Sequence, residues 1–242
     1  MSGKLTKLSL AETAMASKLF ISLVASTVLS VNSVSGGFAN AQEQEQEDIS
    51  VTEPTRKLTV QWWQWVLSIP PEDNPLLDTT GEKCQEGDMG DIFFLVGTLG
   101  GSAERECTIS EGQEILFPII NRLCIDKPGG FEEPGKFDPP KGRPGSCQEE
   151  VESFIDQASN LEVTIDGVSI ENLQDFRVLS YPFPLKLQED NLFGVPSGTY
   201  TGISDGYWIV VESLPEGEHT IHFAGQVGDD LTVDVTYHLT VE

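Results

Sequence analysis

Residues Leu231–Val241 alternate without a break. Leu231, Val233, Val235, Tyr237, Leu239 and Val241 are apolar, and Thr232, Asp234, Thr236, His238 and Thr240 between them are polar. Successive side chains of a strand point to opposite faces, so this segment calls for a sheet with one wet face and one face buried on a second layer. A helix would spread the same apolar residues around its circumference.

Other stretches follow the same period. Leu161, Val163 and Ile165 alternate with polar residues, and Asp166-Gly167 is a hairpin turn signal before the return at Val168–Ile170. Tyr207–Val211 reads as a strand after a Ser204-Asp-Gly206 turn. His219–Phe223 follows the turn Leu214-Pro-Glu-Gly217. Earlier in the chain, Ile92–Val96 and Ile115–Ile120 read as short buried strands, the second interrupted by Pro118, which marks an edge or a bulge. Two segments keep a helical period. In Thr55–Ile69 the polar residues Lys57, Gln61, Gln64 and Ser68 form one narrow stripe, while Trp62, Trp63 and Trp65 lie on apolar faces; Pro70-Pro71 ends it. In Cys147–Asn160, Val151, Phe154, Ile155 and Ala158 form the apolar face, after the capping box Ser146-x-x-Glu149. The expectation is a mainly all-β chain: an antiparallel β-sandwich, immunoglobulin-like in its C-terminal part, with one or two packed helices.

The four cysteines, Cys84, Cys107, Cys124 and Cys147, all fall between Gly81 and Cys147. A hairpin centred on Gly112 would put Cys107 opposite residue 117 and Cys124 about 23 Å beyond it at strand rise. A disulfide needs Cα atoms within about 7 Å. This favours Cys84–Cys107 and Cys124–Cys147, each worth about 3 kcal/mol on the chain-entropy model.

Bridges fit the leader. Lys4, Lys7 and Lys18 precede an apolar run from Leu19 to Val34, and Phe38-Ala-Asn-Ala41 offers an A-x-A cleavage site. Residues 1–41 are read as a signal peptide, 42–51 as a disordered acidic spacer, and 52–242 as one disulfide-stabilised domain. An uncleaved anchor is the alternative for the leader. The whole chain has 14 basic and 39 acidic side chains in 242 residues, a formal charge of −25. Without the leader's three lysines and Glu12, 11 basic and 38 acidic residues remain, a charge of −27. Such a surface repels nucleic acid and anionic membranes. The expected location is extracytoplasmic, secreted or at the cell surface, with no transmembrane span in the mature chain.

Several segments resemble a group of secreted prokaryotic proteins of unassigned activity. They include Trp62-Trp-Gln-Trp65, Thr80-Gly-Glu-Lys-Cys84, Leu116-Phe-Pro-Ile-Ile-Asn121, Gly217-Glu-His-Thr-Ile-His-Phe223 and Val235-Thr-Tyr-His-Leu-Thr-Val241. The resemblance implies a secreted, disulfide-containing domain and assigns no functional residue.

No phosphate loop is present. His222, Asp234 and His238 fall on the wet faces of the last two strands, where they would share a zinc or copper ion if those strands pair around Gly228-Asp229. The acidic loops Asp88–Asp91, Glu189–Asn191 and Asp229-Asp230 are the places for calcium, without an EF-hand pattern. No cofactor is otherwise indicated. The Pro/Gly-rich loop between Asp126 and Cys147 carries Phe131, Lys136, Phe137, Lys141 and Arg143, which would anchor an extracellular glycan or protein partner. The reading is a secreted, non-catalytic binding or structural module. The alternative is an extracellular hydrolase, possibly glycan-directed, working through carboxylates. Whether the chain is an enzyme is left open by the residues alone. Cleavage after Ala41 predicts a mature chain beginning at Gln42, which N-terminal sequencing of the exported protein reads directly.

Overall fold

The computed structural model describes residues 51–126, 147–229 and 231–242. All of them fall within one compact unit. In chain order the strands are β1 (Val51–Thr52), β2 (Ile92–Phe94), β3 (Gly101–Ile109), β4 (Glu114–Asp126), β5 (Ala158–Ile165), β6 (Val168–Ser169), β7 (Phe183–Leu187), β8 (Gly198–Val211), β9 (Gly217–Val227) and β10 (Leu231–Val241). Helix α1 (Arg56–Val66) precedes β2, and α2 (Cys147–Ile155) precedes β5. The expected signal peptide and almost all of the spacer lie outside the described residues. Val51, the spacer's last residue, already pairs with Val211.

Two sheets form. One has the order β1-β8-β4-β2, with β7 also on β8; the other runs β3-β10-β9-β5-β6. Their facing sides make the main core, from Phe117, Ile209 and Val211 on one side to Phe223, Val235 and Leu239 on the other. Phe117 stacks on Phe223 at 4.9 Å between centroids. The first sheet is covered on its other face too, where α1 sets Trp62, Trp63 and Val66 against Leu116, Trp208 and Val210. Layers on both sides explain why Ser204–Val211 is buried without alternation.

Helix α1 carries out its pattern. Thr55 caps it, the Thr55 side chain accepting from the Leu58 N–H, and Lys57, Gln61, Gln64 and Ser68 are its exposed line. Its end is closed by Asn74, which donates from Nδ2 to the Val66 and Ile69 carbonyls at 2.6 and 3.2 Å. Two indoles tie it down: Trp62 Nε1 donates to Leu95 O at 2.9 Å and Trp65 Nε1 to Glu86 O at 2.7 Å. The Asp166-Gly167 hairpin is as the dipeptide requires, with φ of 51° and 77° and Thr164 paired to Ser169. The register does slip between Pro118 and Ile120. This bulge lets Ile119 and Ile120 both enter the main core.

Four expectations need correction. The sandwich is not wholly antiparallel, because β2 runs parallel to β4 and β3 parallel to β10. Cys107 does not open a hairpin: β3 and β4 belong to different sheets, and the turn at Gly112 arches between layers. Ser204-Asp-Gly206 is not a turn but the middle of β8. Helix α2 ends at Ile155, and Ala158–Asn160 already belongs to β5. The apolar period of 3.6 and the alternation of β5 overlap there, and pairing with Val227 and Gln226 decides for the strand.

The parallel strand β3 is fixed by Arg105. Its alternation buries Ala103, Arg105, Cys107 and Ile109, so a guanidinium enters the core face at 2 % exposure. There Nε donates to Asp78 O (2.8 Å), Nη1 to Val96 O (2.8 Å) and the Tyr237 hydroxyl (2.9 Å), and Nη2 to Gly97 O (3.0 Å) and Pro75 O (3.4 Å). The guanidinium carbon lies 5.3 Å from the Tyr237 ring centroid. Truncating it strands these acceptors together in the interior, each costing about 1–3 kcal/mol. Arg105→Met is expected to destabilise by at least about 3 kcal/mol in urea unfolding, with no rescue by Arg105→Lys, whose ammonium lacks the planar fork.

Candidate functional site

The outer face of the second sheet is a polar surface built by three adjacent strands. Glu104 and Glu106 of β3, Asp234, Thr236, His238 and Thr240 of β10, and Glu218 and His222 of β9 share it. Thr236 is its centre, paired to Glu104 on one side and to His222 on the other. The strands turn around Gly228-Asp229 as expected, which brings His222 Nε2 to 3.1 Å from Asp234 Oδ1. His238 turns the other way and meets Glu104 Oε1 at 2.8 Å. Two diagonal histidine–carboxylate pairs therefore flank Thr236. The expected set of His222, Asp234 and His238 is thus divided between two partners. Among the described residues no group of three or more His, Cys, Asp or Glu side chains converges as a metal shell. The third histidine, His219, bonds Asp166 Oδ2 at 2.7 Å beside the hairpin turn.

A wall turns this face into a groove. Cys84 is bridged to Cys107 with Cα atoms 5.8 Å apart, which pins the segment Thr80–Gln85 along the edge of β3. Thr80 O accepts from the Glu106 N–H at 3.1 Å, and a Cβ on Gly81 would collide with the Glu106 backbone. Glycine is required at that approach, and its φ of 96° suits it. Asp78 organises the wall from behind. Burial pushes its pKa up, but N–H donors of Lys83, Thr80 and Gly81 and the Thr80 hydroxyl hold it below the ordinary value. The result is a hollow of about 470 Å³ between Gln85, Glu106, Glu218, His238 and Thr240, and a second of about 320 Å³ between Thr79, Ser102, Glu104 and Asp234. No lysine or arginine lines either. A larger groove of about 630 Å³ runs between Glu72, Lys186 and Glu189 at the other sheet's edge.

Two acidic loops named for calcium are internally bonded. Asp88 Oδ1 accepts from the Gly90 N–H and from Gln113 Nε2, both at 2.9 Å. Asn191 donates to the Gln188 and Val195 carbonyls at 2.7 Å. Asp230, Phe131, Lys136, Phe137, Lys141 and Arg143 lie outside the described residues. Both expected disulfides are formed, with Cys124–Cys147 at a Cα separation of 5.4 Å tying α2 to β4.

Sequence reasoning missed the second anchor of α2. Asp205 is fully buried and is gripped by Arg177, through Nε at 3.0 Å and Nη2 at 2.6 Å, and by the Gly206 N–H at 2.8 Å. Arg177 Nη1 bonds Asp156 at 2.7 Å and its Nη2 donates to Glu152 O at 3.2 Å. The hydrogen bonds to Asp205 raise the Arg177 pKa above its ordinary value, against a lowering by burial. On the same side Arg122 bonds Glu150 at 3.3 Å and lies 4.8 Å from the Phe154 ring centroid. A lone aspartate in a turn-like triplet hid this node; only the β4–β8 register reveals that Asp205 is mid-strand.

No family model matches the chain, and no curated protein matches it in sequence. Among solved structures it is similar to the solution structure of amebosin, at 12 % identity and a TM-score of 0.22, over 63 % of this chain and 100 % of that one. A crystal structure of a cysteine protease inhibitor from Entamoeba histolytica is similar at 11 % identity and a TM-score of 0.22, over 62 % of this chain and 96 % of that one. Overlap this loose carries no argument about fold or activity.

Replacing Arg177 leaves a buried carboxylate without its cation. Arg177→Met is expected to cost about 3–5 kcal/mol in chemical unfolding, whereas removing only the exposed partner, Asp156→Asn, costs less than about 1 kcal/mol.

Proposed function

We propose that this chain is a secreted or cell-surface, non-catalytic binding module that meets an extracellular glycan or protein through the outer face of the β3–β10–β9 sheet. The observation that supports it is the state of that face. Its histidines are each engaged by a carboxylate, His222 by Asp234 and His238 by Glu104, around a central threonine. Groups arranged this way make a fixed pattern of acceptors and donors for recognition. A glycosidase needs two carboxyl groups facing one bond, with one of them free to give a proton. The leader and the two disulfides fit export into an oxidising compartment. Among the described residues no helix is long and apolar enough to cross a membrane. The order of the closing strands, β8 in one sheet followed by the β9–β10 hairpin in the other, suits an immunoglobulin-like sandwich.

The test is titration calorimetry of the mature protein against a panel of soluble extracellular polysaccharides and peptides, with product analysis of each mixture. The expected result is reversible binding that weakens at least tenfold in Thr236→Trp, which fills the centre of the face, at unchanged melting temperature. Release of new reducing ends or peptide fragments, lost in Glu104→Gln or Glu106→Gln, would instead establish the hydrolase.

A further inference from the structure

The edge of a sheet presents backbone N–H and C=O groups without partners, and natural sheets blunt such edges. Several edges here are blunted. Strands β1 and β6 are only two residues long. Asp88 bridges Phe93 of β2. Beyond its pairing with β2, β4 carries Pro118 and a bulge. Strand β5 has a bulge between Ser159 and Glu162, with Asn160 at a φ of 52°. On β7, Pro184 has no N–H, and its carbonyl accepts from Gln64 Nε2 at 2.8 Å.

Strand β3 differs. Its nine residues pair with β10 without a break and include no proline. Along a parallel pair, the N–H and C=O of one residue serve one neighbour and those of the next residue point the other way. Ile109 O accepts from the Glu242 N–H just past β10, at 3.1 Å, so Ile109, Cys107, Arg105 and Ala103 serve β10. Ser102, Glu104, Glu106 and Thr108 therefore point their backbone groups outward. The groove wall takes the far half of this row. The Glu106 N–H donates to Thr80 O at 3.1 Å, and Thr108 O accepts from Gln85 Nε2 at 2.7 Å. The near half, Ser102–Glu104, has no such cover among the described residues. Beside it lies the hollow of about 320 Å³ that Thr79, Ser102, Glu104 and Asp234 line.

Charge decides what suits this open edge. Ser102 is paired with Asp234 and Glu104 with Thr236, so two carboxylates border it. Glu104 gives one oxygen to His238 and Asp234 gives one to His222, which leaves each a second oxygen for a cation. A second copy of this chain is a poor occupant. Antiparallel pairing of two β3 edges about Glu104 would set like charges opposite one another, which destabilises a sheet, on chains of formal charge −25 each. We propose that Ser102–Glu104 is a strand-addition site for an extended basic segment of an extracellular protein. The segment continues the second sheet past β3 and places a lysine or arginine in the hollow between Glu104 and Asp234. Main-chain bonds to Ser102 and Glu104 supply attachment, and the alternate side chains supply selection. The wall at Thr80 stops the segment short of Glu106 and so sets its register. This inference rests on the reading above that this sheet meets an extracellular partner, and narrows that partner to a peptide of one chemistry.

The probe is a capped heptapeptide alternating lysine and valine, titrated into the isotope-labelled mature protein while amide exchange is followed by NMR. Binding is expected to slow exchange at Ser102 and Glu104. Ser102→Pro, which removes an outward N–H, should weaken binding about tenfold at unchanged melting temperature, and methylation of every peptide nitrogen should do at least as much. The methylated peptide keeps the test valid should the proline variant unfold. Equal binding of the methylated peptide would mean attraction by charge alone and overturn strand addition. So would no binding of the lysine peptide, or slow exchange at both amides in the free protein, which marks a second copy on the edge. Thr236→Trp separates this inference from the reading it rests on. A polysaccharide lost in Thr236→Trp but indifferent to Ser102→Pro, with no peptide bound, keeps the face and overturns the edge. Peptide binding lost in Ser102→Pro but not in Thr236→Trp keeps the edge and overturns the face.

Discussion

The buried guanidinium of Arg105 is the interaction on which the arrangement of both layers rests. Strand β3 joins the second sheet by parallel pairing to β10, and the chain reaches it through a crossover at Leu95–Gly100 from β2 in the first sheet. A parallel edge strand reached this way has no hairpin to hold it. Arg105 replaces the hairpin: it binds the crossover at Val96 and Gly97, the preceding loop at Pro75 and Asp78, and the opposing strand at Tyr237. Tyr237 in turn donates to Val96 O at 3.0 Å, and its burial raises the phenol's pKa. The groove wall, the β3 edge and the disulfide at Cys107 are all placed relative to this one side chain.

A second charged node does the corresponding work at the opposite end of the first sheet. Helix α2 is held to the β4–β8 ladder by a disulfide, by Arg122 with Glu150, and by Arg177 between Asp156 and the buried Asp205. The strongly acidic chain spends two of its few arginines here. Removing one partner from such a node is costly because the other stays desolvated.

The parts of the fold that local rules govern were legible. Alternation along Leu231–Val241, the Asp-Gly hairpin, the polar line of α1 and the interruption at Pro118 all express backbone periodicity or the limits of one residue. The disulfide partners were also named correctly, although the hairpin invoked for them does not exist. Either a hairpin or an arch at Gly112 carries Cys124 well away from Cys107, so the wrong local geometry still led to the right pairing. The candidate face was legible in part: alternation put His222, Asp234 and His238 on the wet side, but Glu104, which takes His238, comes from a strand 134 residues earlier.

The sequence by itself determined the strand period of the closing segments, the helical period of α1, which of their faces are apolar, and that two bridges cross-link the first half of the domain. These follow from side-chain period, turn chemistry and spacing, all of which are local. Only the tertiary structure decided that β3 lies parallel to β10, that Ser204–Gly206 runs through the middle of a strand, and that Arg105 and Asp205 are interior charges. The physical reason is that each depends on a partner distant in sequence: a strand's neighbour, or the acceptors that make a buried charge tolerable, is chosen by the packing of the whole layer.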